Sequence, residues 1–196
     1  MLSADAQLIL RLEAYLALLR RWTQRINLVS AASLVDPWRR HILDSGQLAC
    51  HLPPDACRIV DLGSGAGLPG IVVAVLTGHP VTLVESDARK CAFLREAVRA
   101  SEIDADVVCA RIEVPPSQRF DVVMARALAP LPRLLPLALP WLDDGGVCLF
   151  LKGARVADEL TQAKKTWTMR PYLIPSRSDS TGVIIKIEDL ARRDEP

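Results

Sequence analysis

The chain has 196 residues and a mass of 21.5 kDa, with half its residues apolar and 24% charged, so it can bury a core and does not read as disordered. Lys plus Arg is 24 and Asp plus Glu is 23, a net charge of +1. No global charge excess announces a nucleic-acid or membrane partner, and any basic footprint is local.

Five cysteines (Cys50, Cys57, Cys91, Cys109, Cys148) are widely spaced and form no CxxC pair. That argues against a zinc site and reads as buried free thiols in a reducing cytosol. Arg11 and Glu13 interrupt the apolar start, so no signal peptide is read there. The most apolar stretch, 127–142, carries Arg133 and the prolines Pro130, Pro132, Pro136 and Pro140, which make it a poor membrane span.

Ser3 is placed to cap a helix that begins at Ala4 and carries Leu8, Leu12, Tyr15, Leu16, Leu19 and Ile26 at helical spacing. Asp36-Pro37 reads as the cap and first turn of a second helix, which reaches Leu48 or Cys50 and is ended by Pro53-Pro54. From Arg58 the texture changes. Strands are predicted over 58–62, 81–85, 105–109, 120–125, 147–151, 169–174 and 182–188, the fifth leaving a turn at Gly145-Gly146. Helices are predicted over 68–77, 87–100, 131–139 and 155–167.

This alternation gives an α/β fold, a mostly parallel seven-stranded sheet with helices on both faces. The last two strands are joined by a loop too short for a crossover helix, so they are expected to be antiparallel. The chain reads as one domain, 1–196, with an N-terminal helical extension over 1–57 and a Rossmann-like core over 58–196.

The informative segment is Asp61-Leu-Gly63-Ser-Gly65-Ala-Gly67-Leu68-Pro69-Gly70, which follows the first strand and opens a helix. Glycines allow a sharp turn and a close approach to a ligand beyond the carboxyl ends of the strands. Glu85 ends the second strand, where a carboxylate accepts both hydroxyls of a ribose. These features fit NAD or S-adenosylmethionine (SAM). Asp61, two residues before Gly63, is placed for an ammonium rather than a pyrophosphate. The short chain after the fifth strand leaves little room for a dehydrogenase substrate domain. Both favour SAM over NAD, and a turn that only reverses the chain does not account for the ordered strand, glycines, helix and acid.

The chain resembles the RsmG (GidB) family of bacterial 16S rRNA guanine-N7 methyltransferases. The matching segments are Asn27-Leu28, Arg40-His-Ile-Leu-Asp-Ser45, Val60 to Gly70, Arg111-Ile-Glu113, Ala125-Arg-Ala127 and Leu151-Lys-Gly153. The resemblance implies a class I SAM-dependent methyltransferase fold, with SAM contacts at Gly63, Leu68, Ile112, Glu113 and Arg126. The general logic of SAM folds adds Asp61, Gly65 and Glu85. The family's basic pair after the second strand is matched by Arg89-Lys90, in reversed order. The implied partner is 16S rRNA or the small ribosomal subunit, with no membrane, no metal and a cytoplasmic setting. The implied target is a guanine of the decoding-region loop.

Guanine N7 attacks through a lone pair and has no proton to lose, so alignment matters more than a general base. The fourth strand ends in Met124-Ala-Arg-Ala-Leu128, without the Asn/Asp-Pro-Pro-aromatic element used on exocyclic amines or the Pro-Cys pair of covalent C5 chemistry. Arg126, the candidate catalytic residue, is placed to orient the guanine, to meet the SAM carboxylate, or both. Arg20, Arg21, Arg25, Arg39 and Arg40 form a basic cluster in the extension, with Trp22 and Trp38 among them. Each tryptophan is read as packing before stacking. Arg89, Lys90, Arg95, Lys152, Arg155, Lys164 and Lys165 add candidates for RNA contact, with Lys152 ranked first because it ends the fifth strand. Any one of these cations alone reads as part of a solvated face. His41, Asp44 and Ser45 share one helix, where Arg40 and Asp44 are four apart and can pair. They read as a packing and hydrogen-bonding element beside the cofactor pocket, not as a hydrolase triad. The alternatives are a SAM methyltransferase of another RNA or a small molecule, a non-catalytic SAM-binding assembly protein and, more distantly, an NAD oxidoreductase.

Overall fold

Short runs of aliphatic and β-branched residues pair into one sheet in a computed structural model that describes residues 4–193; the predicted cap Ser3 lies outside them. The strands are β1 (Ile59–Leu62), β2 (Val81–Glu85), β3 (Ala105–Cys109), β4 (Phe120–Arg126), β5 (Leu142–Lys152), β6 (Trp167–Pro175) and β7 (Val183–Arg192), in the order β3-β2-β1-β4-β5-β7-β6. β1 to β5 pair in parallel. β7 slots between β5 and β6 and is antiparallel to both. β7 is therefore the one reversed strand, which refines the expectation of an antiparallel terminal pair. The order reverses between β1 and β4, the switch point beyond which open α/β sheets bind ligands.

Helices cover both faces: α1 (Ala4–Thr23), α3 (Gly70–Thr77) and α4 (Ala88–Ala100) on one, α5 (Leu131–Ala138) and α6 (Val156–Ala163) on the other. Alternation along each strand divides the core. Ile59, Leu83, Val122 and Met124 bury against Tyr15, Ile71 and Phe93, while Val60, Val84, Val123 and Phe150 bury against Leu131, Leu135 and Leu160. α1 ends before Ile26, which packs on the core from the following loop.

The second helical segment starts as expected. Asp36 Oδ1 accepts from Arg39 N at 3.1 Å and its carbonyl from Arg40 N at 3.0 Å. It opens as a π-helical turn (Trp38–Leu43), passes through α2 (Asp44–Gly46) and tightens to a 3-10 stretch (Gln47–His51). The wide turn sits where His41, Asp44 and Ser45 face the sheet.

Two boundaries differ from expectation. β5 begins before Gly145-Gly146 and absorbs them, Gly145 at φ +77, with a register shift against β4. The helix expected over 155–167 spans Val156–Ala163, because Trp167 buries as the first residue of β6. The cysteine expectation is also corrected. Cys91 and Cys148 are buried, but Cys50, Cys57 and Cys109 are exposed free thiols. Among the described residues no helix is long and apolar enough to cross a membrane, and no group of three His, Cys, Asp or Glu could hold a metal.

At the sheet end away from the glycine turn, Asp121 accepts from Cys57 N at 3.0 Å, Arg58 N at 2.8 Å and the Arg58 guanidinium at 2.7 Å. Burial opposes its charge, but these donors outweigh burial and hold the carboxyl below its usual range. Asp121→Ala is expected to lower unfolding free energy by about 1–3 kcal/mol at neutral pH, read from urea denaturation. The folded-state pKa is depressed, so this stability is present above the ordinary carboxylate range and lost as pH falls through the folded value.

Candidate active site

The glycine turn is held from three sides. Gly63, Gly65 and Gly67 have φ of +65, +54 and +81, a conformation that side chains disfavour. Underneath, the buried Asp61 Oδ2 accepts from Gly70 N at 3.0 Å, and a Cβ on Gly70 would stand 2.9 Å from that oxygen and 2.4 Å from Leu83. From α1, the buried Tyr15 hydroxyl donates to Ala66 O at 2.7 Å. From β2, Glu85 Oε2 accepts from Gly65 N at 3.0 Å, while its Oε1 accepts from Ser86 N at 2.8 Å and Asp87 N at 2.9 Å. Glu85 is thereby rigid and keeps one lone pair of Oε2 for another donor.

Two cavities border this turn and a third lies beside them. One of about 410 Å³ lies over the ends of β1, β2 and β4, lined by Gly63, Gly65, Glu85, Ile112 and Glu113. A second, about 400 Å³, runs past the turn toward His41, Leu28 and Leu68. The third, about 230 Å³, opens between β4, β5 and the 176–182 loop. Arg126 and Ala127 line all three. Ala127 has φ +52, strained for an L residue, where the chain leaves β4 and Leu128 packs over Gly63.

Arg126 is fixed by the 38–51 helix. Its Nε lies 3.3 Å from Asp44 Oδ2, one terminal nitrogen donates to Ser45 Oγ at 3.3 Å and the other to Arg40 O at 2.9 Å. Asp44 Oδ1 accepts from Ser178 Oγ at 2.5 Å and from Gln47 Nε2 at 3.4 Å. This corrects the expected Arg40–Asp44 pairing, since Arg40 reaches Asp179 Oδ2 at 3.2 Å instead. A fixed cation and a loop acid outcompete the exposed pairing within one helix. His41 Nε2 lies 3.1 Å from Ser33 Oγ. Burial, then the Arg126 and Arg40 charges, lowers its pKa to about 4, so it is a neutral, weakly basic ring at neutral pH.

Gly63, Gly65 and Arg126 line both of the first two cavities, Glu85, Ile112 and Glu113 line the first, Leu68 lines the second, and Asp61 lies directly beneath the turn. Ile112 is held by the buried Trp141, whose Nε1 donates to its carbonyl at 2.8 Å. Of the basic candidates, Lys90 lines the cofactor-side cavity, whereas Arg89 is exposed and pairs with Asp87 at 3.3 Å. Arg39 donates to Ser178 O at 2.8 Å. Lys152 lines the third cavity, but its ammonium is 2.6 Å from Glu159, donates to Ala129 O at 2.8 Å and is only 9% exposed, so it also braces β5 against α6. Trp22 packs edge-on to Phe93 and donates to Glu96, whose carboxylate also pairs with Arg21. Sequence reasoning missed Tyr15, the tie from Asp44 to Arg126, the Arg111 and Arg133 rim and the 176–182 loop. Only the tyrosine in an otherwise aliphatic stripe offered a signal.

The family described as GidB, rRNA small subunit methyltransferase G, matches residues 9–180. The chain is 52% identical over 182 residues to the ribosomal RNA small subunit methyltransferase G of Gluconobacter oxydans, covering 93% of this chain and 94% of that one. The chain belongs to this family. The corresponding protein of Rhodospirillum centenum is 50% identical over 183 residues, covering 93% of this chain and 85% of the relative. Among solved structures, the glycopeptide N-methyltransferase MtfA with S-adenosylhomocysteine superposes with a TM-score of 0.64 at 12% identity, over 75% of this chain and 89% of that one. The ribosomal protein L11 methylase of Lactobacillus delbrueckii gives 0.59 at 17% identity, over 76% and 77%. These place this family member's fold among class I SAM-dependent methyltransferases.

The residues present fit SAM. Among the described residues the buried Asp61 Oδ1 has no hydrogen-bond partner, and the glycine turn offers a cradle that side chains would fill. A double-mutant cycle of Asp44→Asn and Arg126→Ala, followed by urea denaturation, is expected to give a coupling of about 0.5–3 kcal/mol. Additive effects would break the assigned tie.

Proposed function

We propose that this protein transfers the methyl group of SAM to N7 of a guanine in the decoding-region loop of 16S rRNA. Its partner is the small ribosomal subunit or its rRNA, in the cytoplasm. The observation that carries this reading is the meeting of three cavities at one anchored arginine, in a chain that belongs to the methyltransferase G family.

Glu85 accepts a ribose hydroxyl on its free lone pair, and accepting both hydroxyls requires releasing Gly65 N–H. Asp61 Oδ1 takes a ligand ammonium, and Ile112 with Glu113 frames the adenine. Bound SAM supplies an electrophilic methyl on a sulfonium: the N7 lone pair forms the new N–C bond while the S–C electron pair stays on sulfur. No proton leaves the nucleophile, and the site suits this. Asp44 is tied to Arg126, and His41 is too weakly basic to serve as a general base at neutral pH. Arg126 keeps N–H groups beyond its three partners, and these orient the guanine O6/N7 edge or the ligand carboxylate. Its contribution is alignment in a preorganised field.

Methyl incorporation from labelled SAM into small subunits lacking the modification, mapped by cleavage at N7-methylguanine, is expected to mark one guanine of the decoding-region loop. Label elsewhere, or none with SAM bound, would refute the assignment. Arg126→Ala is expected to lower kcat by about 100-fold or more with circular dichroism unchanged.

Burial, opposed by the Gly70 hydrogen bond, raises the Asp61 carboxyl to about 7. A raised folded-state pKa contributes stability at low pH that is lost as pH rises to about 7. An ammonium favours the ionised form, so SAM affinity is expected to climb as pH rises to about 7 and to fall again where the ligand's α-amino group loses its proton, at about 7.7–8.0. Calorimetric titration from pH 5.5 to 8.5 checks this, and Asp61→Asn should flatten the rise.

A further inference from the structure

The third cavity, at about 230 Å³, is smaller than the ~300–1,000 Å³ typical of drug-sized ligands and suits a single heterocycle. Leu151 and Val183 give it apolar walls, and Arg126 with Ala127 separates it from the cofactor-side cavities. A guanine placed here for transfer to N7 turns its N7/O6 edge toward Arg126. Its opposite edge, carrying N1–H and the N2 amino group, then faces the 176–182 loop. Two carboxylates line the cavity, Asp44 and Asp179. Asp44 is spent on Arg126, Ser178 and Gln47.

Asp179 differs. Its Oδ1 accepts from Thr181 N and Thr181 Oγ1, both at 2.8 Å, which pins the side chain. Its Oδ2 has Arg40 as a partner at 3.2 Å, and that arginine side chain is 54% exposed. Such a pair is weak and exchanges readily. A nucleotide would supply both replacements, a phosphate for Arg40 and base N–H donors for Oδ2. Guanine presents two adjacent donors on that edge. Adenine presents the N1 acceptor there, which a carboxylate repels.

We propose that this cavity seats the acceptor base and that Asp179 selects guanine by accepting from N1–H and the N2 amino group. The inference rests on the guanine-N7 reading above and names the residue that enforces it. The Thr181 hydrogen bonds, and to a lesser degree Arg40, hold the carboxyl below its usual range, so the acceptor stays ionised at neutral pH.

The test compares small subunits reconstituted with guanosine or inosine at the target position, inosine lacking only the N2 amino group. Wild-type protein is expected to lose roughly tenfold or more in kcat/KM on inosine, the scale of one hydrogen bond to a charged group. Asp179→Asn is expected to lose a similar factor on guanosine, and its guanosine-to-inosine ratio to fall to about one. Thr181→Ala keeps the carboxylate while loosening the loop, and is expected to retain the preference. An undiminished ratio in Asp179→Asn, or no preference in the wild type, overturns the inference alone. A wild-type protein that marks no guanine N7 overturns the functional reading and this inference with it. The wild-type comparison decides without the variant, should Asp179→Asn fail to fold.

Discussion

The tie between Arg126 and the 38–51 helix is the constraint on which the site depends. Arginine at the end of a parallel strand has a long, flexible side chain and costs rotamer entropy to hold. Here Asp44, Ser45 and the Arg40 carbonyl accept from it, and all three belong to a helix outside the α/β core. The helix in turn is held by the 176–182 loop, through Ser178 to Asp44 and through Gln47 to Ser176 at 2.9 Å. One guanidinium therefore joins the helical extension, β4 and the β6–β7 connection. The extension completes the site rather than decorating it.

The glycine turn poses the complementary problem, a backbone that must be open to a ligand yet fixed. Side chains cannot line it, because positive φ and close packing exclude them. Support comes from beneath and behind. Asp61 reaches Gly70, Tyr15 reaches Ala66 and Glu85 reaches Gly65. Two of these supports are carboxylates that the described residues leave short of partners, Asp61 at Oδ1 and Glu85 at one lone pair of Oε2. The same groups that stiffen the turn hold acceptor capacity for a ligand's ammonium and hydroxyl donors.

Most of the fold was legible because it rests on local signals. Asp36 caps its helix, Asp87 caps α4, and the strand runs lie where β-branched residues cluster. The glycine turn and Glu85 were readable because their spacing is a local requirement of the ligand-binding bend. What escaped depends on contacts far apart in the chain. Asp44 meets Ser178 across 134 positions and Tyr15 meets Ala66 across 51. Helical spacing suggested Arg40 with Asp44, and tertiary competition gave each a different partner. Lys152 shows the same limit: its place at the strand end was readable and it does line the third cavity, but its pairing with Glu159 on the next helix was not.

Holding strength is graded from the centre of the site to its rim. Arg126 and Asp44 are each about one-fifth exposed, and each has several partners. At the rim, Arg40 and Asp179 meet through one contact with more than a third of each side chain in solvent. Charge pairs weaken with solvent exposure and with salt. An approaching polyanion therefore displaces the rim pair first and leaves the central arginine in place. An enzyme that must admit a large, charged substrate while keeping its reacting atoms aligned needs that ordering. Here it follows from the burial of the two pairs.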